Sequence, residues 1–363
     1  MDLRASTEKL INTANPGILL SLALFPLTAA SFIYTLIITI RSTLYKRGIL
    51  KSYHADCKVI TIGNLTVGGT GKTPTVCMIA EYLKKEGINT AVVCGGYRGK
   101  ETGTPQIVSN GEKILLDSGS AGDEAYMLAK KLSGIPVIAG KDRVAASKLA
   151  CKHFNTEIII LDDGFQHLRL KRDIDVVLIN SRNPFGNGFL LPRGILREPL
   201  KALERADIVL LTKTDPIKAD RSSLEKKIRI HNRKAPIFNS FYKPANIVNF
   251  SNSKSIPVDL MKDKKIACFC SIGDPESFIL VLKHMGLTLA EKIIFPDHHQ
   301  YSSYDYNRIK ELSEKFDYLI TTEKDIAKIT PDMIKMNNLS VLEIEEIIDN
   351  TELFFKKLTD LDS

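Results

Sequence analysis

One stretch constrains this chain more than any other: GNLTVGGTGKTP, from Gly63 to Pro74. It follows a short β-branched run, KVITI, and precedes PTVCMIAEYLKKEG, which has the spacing of a helix, with Pro74 in its first turn and Gly87 as a C-cap. A glycine-rich turn between a strand and a helix is a phosphate site, because loop N–H groups and the helix N-terminus converge on an anion. The pattern is G-x-x-x-x-G-K-[ST] with its first glycine replaced by Thr66. Gly68 and Gly69 lie inside the loop and supply backbone freedom that Thr66 does not. The expected nucleotide site is therefore Thr66, Gly68, Gly69, Thr70, Gly71, Lys72 and Thr73. Lys72 is placed to reach the β- and γ-phosphates, and Thr73 to ligate magnesium.

The loop sits in an alternating pattern. The runs TAVVC, IPVIAG, EIIILDD, DVVLIN and ADIVLLTKTD read as strands between helical segments, apolar enough to be buried on both faces. This predicts a P-loop-containing, doubly wound α/β/α domain. Regularity lapses near YKPANIVNFSNSKSIPVDLMKD, and KKIACFC opens a second, smaller α/β stretch. The expected division is residues 1–56 as an N-terminal apolar helix and basic anchor, 57–240 as the P-loop core, and 241–363 as a C-terminal α/β domain.

From Gly17 to Ile40 the chain carries no charge, a length that can cross a bilayer. The mixed charges before it (Asp2, Arg4, Glu8, Lys9) and the lack of a small-residue cleavage site argue against a secretory signal. Arg41, Lys46, Arg47 and Lys51 follow it without an acid among them. Such a cluster favours an anionic leaflet and keeps the following domain in the cytoplasm. The net charge of +8 is accounted for without nucleic acid, since basic residues are not interleaved with aromatic platforms. Membrane association is the expectation, with spanning and monotopic insertion both open and Pro26 inside the helix. Six cysteines form no C-x-x-C pair, and Cys268 and Cys270 fall on one face of a strand as reduced core residues.

Three further motifs bear on chemistry. IIILDDGFQH ends an apolar strand in Asp162 and Asp163, the arrangement that holds magnesium beside a P-loop. AGDEAY reads by itself as a helix N-cap with an acidic first turn, and FPDHHQY as a surface turn without zinc spacing. TKTD, from Thr212 to Asp215, is similar to the N-K-x-D element that reads guanine, with Thr in place of Asn. On these residues a membrane-tethered GTPase switch or chaperone, or an ATPase with a protein partner, stands beside a kinase.

Taken together and in order, GNLTVGGTGKTP, AGDEA, LDDGFQH, NPFGNGFLLPRGILREPL, FPDHH and TTEKD resemble the tetraacyldisaccharide 4'-kinase (lipid A 4'-kinase) family over nearly the whole chain. The block from Asn183 to Leu200 is the most specific piece. The resemblance implies ATP- and Mg2+-dependent phosphorylation of the 4'-hydroxyl of a lipid A disaccharide precursor at the cytoplasmic face of the inner membrane. No nucleic acid is expected, and no obligate protein partner is inferred. It makes Asp123 the base and His298 its partner, a dyad that domain closure would assemble, with Lys72 and Arg197 also catalytic. Arg197 and Glu198 of LREP, with Gln166 and His167, are implied at the substrate, and Lys324 of TTEKD is a weaker candidate. Two departures stand out. The family's S-R-G-Y-G motif reads Cys94-Gly95-Gly96-Tyr97-Arg98, so its arginine is glycine at 95, and GDEP has become GDEA with Ala125.

Overall fold

The computed structural model describes Thr13 and residues 17–95, 104–214, 222–297, 299–328 and 336–359. The chain divides into two compact units, Met1–Phe241 with Ile348–Ser363, and Tyr242–Ile347.

In chain order the first unit begins with α1 (Ile18–Lys46), β1 (Lys58–Asn64), α2 (Lys72–Lys85), β2 (Thr90–Cys94) and β3 (Gln106–Asn110). A single turn, α3 (Ser118–Ala121), leads into α4 (Asp123–Lys131), then β4 (Pro136–Ala139), α5 (Arg143–Phe154), β5 (Ile158–Asp162) and β6 (Ile174–Asn180). β7 (Ile208–Thr212), α6 (Ser222–His231) and β8 (Ile237–Asn249) follow, β8 passing from the first unit into the second after Phe241. The strands run β8-β7-β6-β1-β5-β2-β4-β3, parallel throughout except for β3 at the edge. Parallel pairing needs both faces covered, which is why β1, β2, β5, β6 and β7 are apolar and buried along almost their whole length. One face packs on α2 and α4 through Val76, Ile79, Leu83, Leu128 and Leu132. The other packs on α5 through Val144, Ala146 and Ala150.

Register decides where the site lies. Ile62 of β1 pairs with Asp162 of β5, Asn64 with Leu178 of β6, and Asn180 with Thr212 of β7. The carboxyl ends of four neighbouring strands therefore present the phosphate loop, the paired acids and the TKTD stretch side by side, where open α/β sheets bind ligands.

α1 is 29 residues long and apolar enough to cross a membrane, with little of it buried. One face docks: the Ser31 hydroxyl donates to the Leu190 carbonyl at 2.8 Å, Phe32 meets Phe189 edge-on, and Tyr34 joins the cluster of Phe185, Leu190 and Leu196. Leu19, Leu22, Phe25, Ile33 and Ile37 are exposed.

The second unit contains β9 (Ile266–Cys270), α7 (Pro275–His284), β10 (Leu289–Ile294), α8 (Ser303–Lys315), β11 (Tyr318–Thr322), the short α9 (Glu323–Ile326) and β12 (Leu339–Ile348). Its strands pair in parallel as β10-β9-β11-β12. Cys268 and Cys270 point together into one of its two cores, as their spacing implied, while Ala267 and Phe269 point into the other. The last helix, α10 (Thr351–Thr359), returns to the first unit, so residues 241–363 do not form one continuous domain. The cause is aromatic packing: Phe355 stacks on Tyr82 at 3.7 Å between ring centroids, and Phe354 meets Phe238 edge-on.

A close approach of two backbones lies beneath the site. A Cβ on Gly63 would fall 2.6 Å from the Cβ of Phe165 and 2.8 Å from its backbone N. Gly63→Ala must push β1 and the Phe165 turn apart, and overpacking of this kind costs about 1–3 kcal/mol. A thermal melt of that variant is expected to show Tm lowered by about 2–4 °C per kcal/mol, and an unchanged Tm contradicts the packing described.

Candidate functional site

The loop from Leu65 to Gly71 is held from outside and from within. Val67 N–H donates to the Ile195 carbonyl at 2.8 Å and Arg197 N–H to the Leu65 carbonyl at 2.7 Å, and Thr66 bridges Leu196 in antiparallel fashion. Thr66 is therefore extended and paired, and the position needs no glycine. The left-handed backbone falls instead at Gly68 (φ 103°) and at Gly71 (φ 89°), the N-cap of α2. Within the loop, Asn64 Nδ2 donates to the Thr66 carbonyl and to Thr70 Oγ1, both at 2.8 Å. Lys72 and Thr73 begin α2, whose N-terminus carries no acidic residue to compete with a bound phosphate.

The two acids after β5 have opposite electrostatics. Asp162 is buried and its Oδ1 has no hydrogen-bond partner among the described residues. Burial pushes its carboxyl up to about 7 against the pull of Lys72, and Glu124 and Asp163 push the same way. Asp163 takes a left-handed turn (φ 52°) that swings its carboxylate onto two cations. Arg197 Nη1 donates to both of its oxygens at 2.9 Å, and Lys72 Nζ lies 3.5 Å from Oδ1. Burial again opposes the charge, but Lys72 and Arg197 outweigh it and hold Asp163 below the usual carboxylate range.

Arg197 also reaches Gln166 Oε1 at 3.3 Å, and Gln166 Nε2 donates to the Asn64 carbonyl and to Glu198 Oε1. Glu198 is buried, with both oxygens bound by Arg205, whose guanidinium lies 4.2 Å over the Phe165 ring. Gln166 and Glu198 thus form a strut between Arg205 and Arg197. His167 is pushed down to about 4 by burial and by the Arg143 charge, so its imidazole is neutral at physiological pH. Arg41 of α1 donates to the Gln166 carbonyl at 3.1 Å, a direct tie between the apolar helix and the site.

Asp123 is the first residue of α4, after Gly122 at φ 86°. It is half-buried, and its carboxylate makes no hydrogen bond or ion pair among the described residues. In the second unit Asp297 pairs with Lys324 at 3.1 Å and His299 with Asp305 at 2.9 Å. His298 and Arg98 lie outside the described residues. At Gly95 an added Cβ would stand 3.0 Å from Arg143 Nη2, so the missing side chain leaves room for a buried arginine whose charge acts on Asp162 and Asp163.

Sequence reasoning did not find Asn64, Arg41, Arg143 or Arg205 at the site. Arg143 and Arg205 are single residues without a motif, Arg41 stands in the sequence only as part of the basic cluster, and Asn64, inside the loop motif, is tied to Gln166 far along the chain. Thr212 and Lys213 carried a signal that was assigned to another task.

No cluster of three or more His, Cys, Asp or Glu side chains able to hold a metal occurs among the described residues. Magnesium keeps several waters and binds through one or two carboxylates plus substrate phosphates, so it does not require such a cluster. The unpartnered Oδ1 of Asp162 and the Thr73 hydroxyl are suitable donors, while Asp163 is already committed to Arg197 and Lys72.

A phosphate loop closing the central strand of a doubly wound parallel sheet, with a buried acid one strand away, defines a P-loop nucleotide-binding enzyme. The chain belongs to the tetraacyldisaccharide-1-P 4'-kinase family, whose description matches residues 22–361. It is 39% identical over 360 residues to the tetraacyldisaccharide 4'-kinase of Halothermothrix orenii, covering 94% of each chain. It is 36% identical over 347 residues to that of Chlorobaculum parvum, covering 93% of this chain and 94% of the other. Among solved structures, the "apo" form of LpxK from Aquifex aeolicus in complex with ATP superposes with a TM-score of 0.74 at 32% identity, over 95% of this chain and 100% of that one.

The buried Asp162 gives a pH prediction. Its folded-state pKa lies above that of an ordinary carboxyl, so the folded protein holds the proton more tightly than the unfolded one. This group's contribution to stability is lost as pH rises from the usual carboxylate range through about 7. Asp162→Asn removes the penalty. In metal-free buffer it is expected to raise Tm at about pH 8, by about 2–4 °C per kcal/mol recovered, and to leave it unchanged near pH 4. An equal shift at both pH values contradicts a buried, unpaired carboxylate.

Proposed function

We propose that this chain transfers the γ-phosphoryl group of ATP to the 4'-hydroxyl of a tetraacyldisaccharide 1-phosphate, a lipid A precursor. The observation that carries the reading is the clasp between the phosphate loop and the Asn183–Leu200 block, which brings Arg197 onto Asp163 and next to Lys72. Membership of a kinase family sets aside the GTPase switch and the protein-partnered ATPase.

In this mechanism the backbone N–H groups of the loop and α2 hold the triphosphate, and Lys72 lies against its β- and γ-phosphates. Asp162 and Thr73 would hold Mg2+, which when bound would neutralise charge on the phosphate oxygens. Asp123 accepts the proton of the 4'-hydroxyl as its oxygen forms the new bond to phosphorus. The bond to the β–γ bridging oxygen breaks, and ADP leaves. Lys72 and Arg197 stabilise the charge on the transferring group. His298 is assigned as the partner of Asp123 on the family resemblance. His167, neutral, faces the sugar as a hydrogen-bonding group, and Glu198 acts through Gln166 to set Arg197.

The exposed apolar face of α1, followed by Arg41, Lys46, Arg47 and Lys51, supports a seat on the cytoplasmic face of the inner membrane beside the acyl chains. The disaccharide lipid and the anionic bilayer are its partners in this reading.

With the purified chain, ATP, Mg2+ and tetraacyldisaccharide 1-phosphate in detergent micelles, one phosphate per acceptor is expected at the 4' position. No transfer under conditions where a known family enzyme is active sinks the proposal. Asp123→Ala is expected to lower kcat by about 10²–10⁴ with ATP affinity nearly unchanged, since it removes a base and not a phosphate contact. A kcat equal to that of the parent removes Asp123 from the role.

A further inference from the structure

TKTD is similar to a guanine-reading element, but its first two residues lie under the phosphate loop. The Thr212 hydroxyl donates to the Thr70 carbonyl at 2.8 Å, and Lys213 Nζ donates to the Gly69 carbonyl at 2.7 Å. Thr212 is fully buried and Lys213 is 8% exposed. Lys213 has φ 56°, a left-handed conformation that a lysine adopts only when the surrounding structure offsets the strain.

The consequence follows from peptide geometry. In a trans peptide, the carbonyl of one residue and the N–H of the next share a plane and point in opposite directions. Holding the Gly69 carbonyl against Lys213 therefore aims the Thr70 N–H away from Lys213. Holding the Thr70 carbonyl against Thr212 aims the Gly71 N–H away from Thr212. N–H groups of successive loop residues are what such a loop offers to phosphate oxygens. The ammonium also polarises the peptide it binds, making the Thr70 N–H a stronger donor. Asn64 holds Thr70 Oγ1 from the side, so β1 and β7, with β6 between them, fix the loop together.

We propose that Lys213 and Thr212 are positioning residues for the nucleotide: they set the phosphate loop in its anion-binding conformation by tying down its carbonyls. The proposal rests on the nucleotide-site reading above and adds two residues that act through the loop without touching the phosphates.

The test measures equilibrium binding of a fluorescent ATP analogue with Mg2+, together with KM for ATP and for the lipid acceptor, on the full chain in micelles. Lys213→Met keeps the aliphatic stem and removes the cationic donor. It is expected to raise the nucleotide Kd and the ATP KM on the order of ten- to a hundredfold, the loss of a charged hydrogen bond, with the lipid KM within about twofold of the parent. Lys213→Arg, which retains a cationic donor, is expected to recover most of that loss, and a purely space-filling role would give no such recovery. Thr212→Val, close to isosteric, is expected to raise the nucleotide Kd by about three- to tenfold. A nucleotide Kd within about twofold of the parent for Lys213→Met, or a parallel loss of nucleotide and lipid affinity with a lowered Tm, overturns the proposal. Where Lys213→Met does not fold, Thr212→Val decides on the same criterion. A parent chain that binds the analogue without phosphorylating lipid defeats the kinase reading alone, so the two failures are distinguishable.

Discussion

A phosphate loop works only if consecutive peptide groups turn their N–H sides the same way, and backbone left to itself does not do this. Here the opposing carbonyls are tied down. Asn64 takes that of Thr66, and the segment from Ile195 to Arg197 pairs with the loop's first residues. Lys213 and Thr212 take the carbonyls of Gly69 and Thr70. The parallel sheet makes this possible by ending β1, β5, β6 and β7 at one edge. The stability of the sheet and the geometry of the loop are consequently one problem: moving β1 relative to β7 moves the carbonyl anchors.

The same edge separates two adjacent carboxylates into different chemistry. Asp162 remains in line with its strand, buried and without a partner for one oxygen, and holds its proton to near neutrality. Asp163 turns into the left-handed region and meets Lys72 and Arg197, which keep it ionised. A single peptide of backbone rotation thus produces one acid suited to a divalent cation and one that fixes an arginine. Arg197 is in turn set by Gln166, Gln166 by Glu198, and Glu198 by Arg205. Arg41 brings α1 to that chain of contacts, so the element with the exposed apolar face is mechanically joined to the site.

Much of this was legible in the residues. The β-branched runs, the glycine-rich turn and the helix that follows it identified the α/β core, because hydrophobic periodicity and turn chemistry are local. Cys268 and Cys270 fell on one face, as a period of two requires. Thr66 looked like a defect because a motif records residue types and not backbone angles; its partner Leu196 lies far along the chain. TKTD suggested a base-reading role because four residues do not reveal what they face. Gln166 and Glu198 stand in the right motifs, and only the structure shows that they also link Arg197, Arg205 and the Asn64 carbonyl.

By itself the sequence determined the fold class, the phosphate loop and the long apolar segment, and the ordered set of motifs that the family shares. Each is a property of neighbouring residues, set by side-chain period, glycine conformation or an uninterrupted run without charge. Only the tertiary structure decided which acid keeps its proton above the usual carboxylate range, which arginine is locked, and which lysine supports the loop from below. It also decided that the last helix belongs to the first unit. Those outcomes depend on burial and on pairs more than thirty residues apart, such as Asp163 with Arg197, Gly69 with Lys213 and Tyr82 with Phe355. Contacts at that separation form only once the sheet has been assembled.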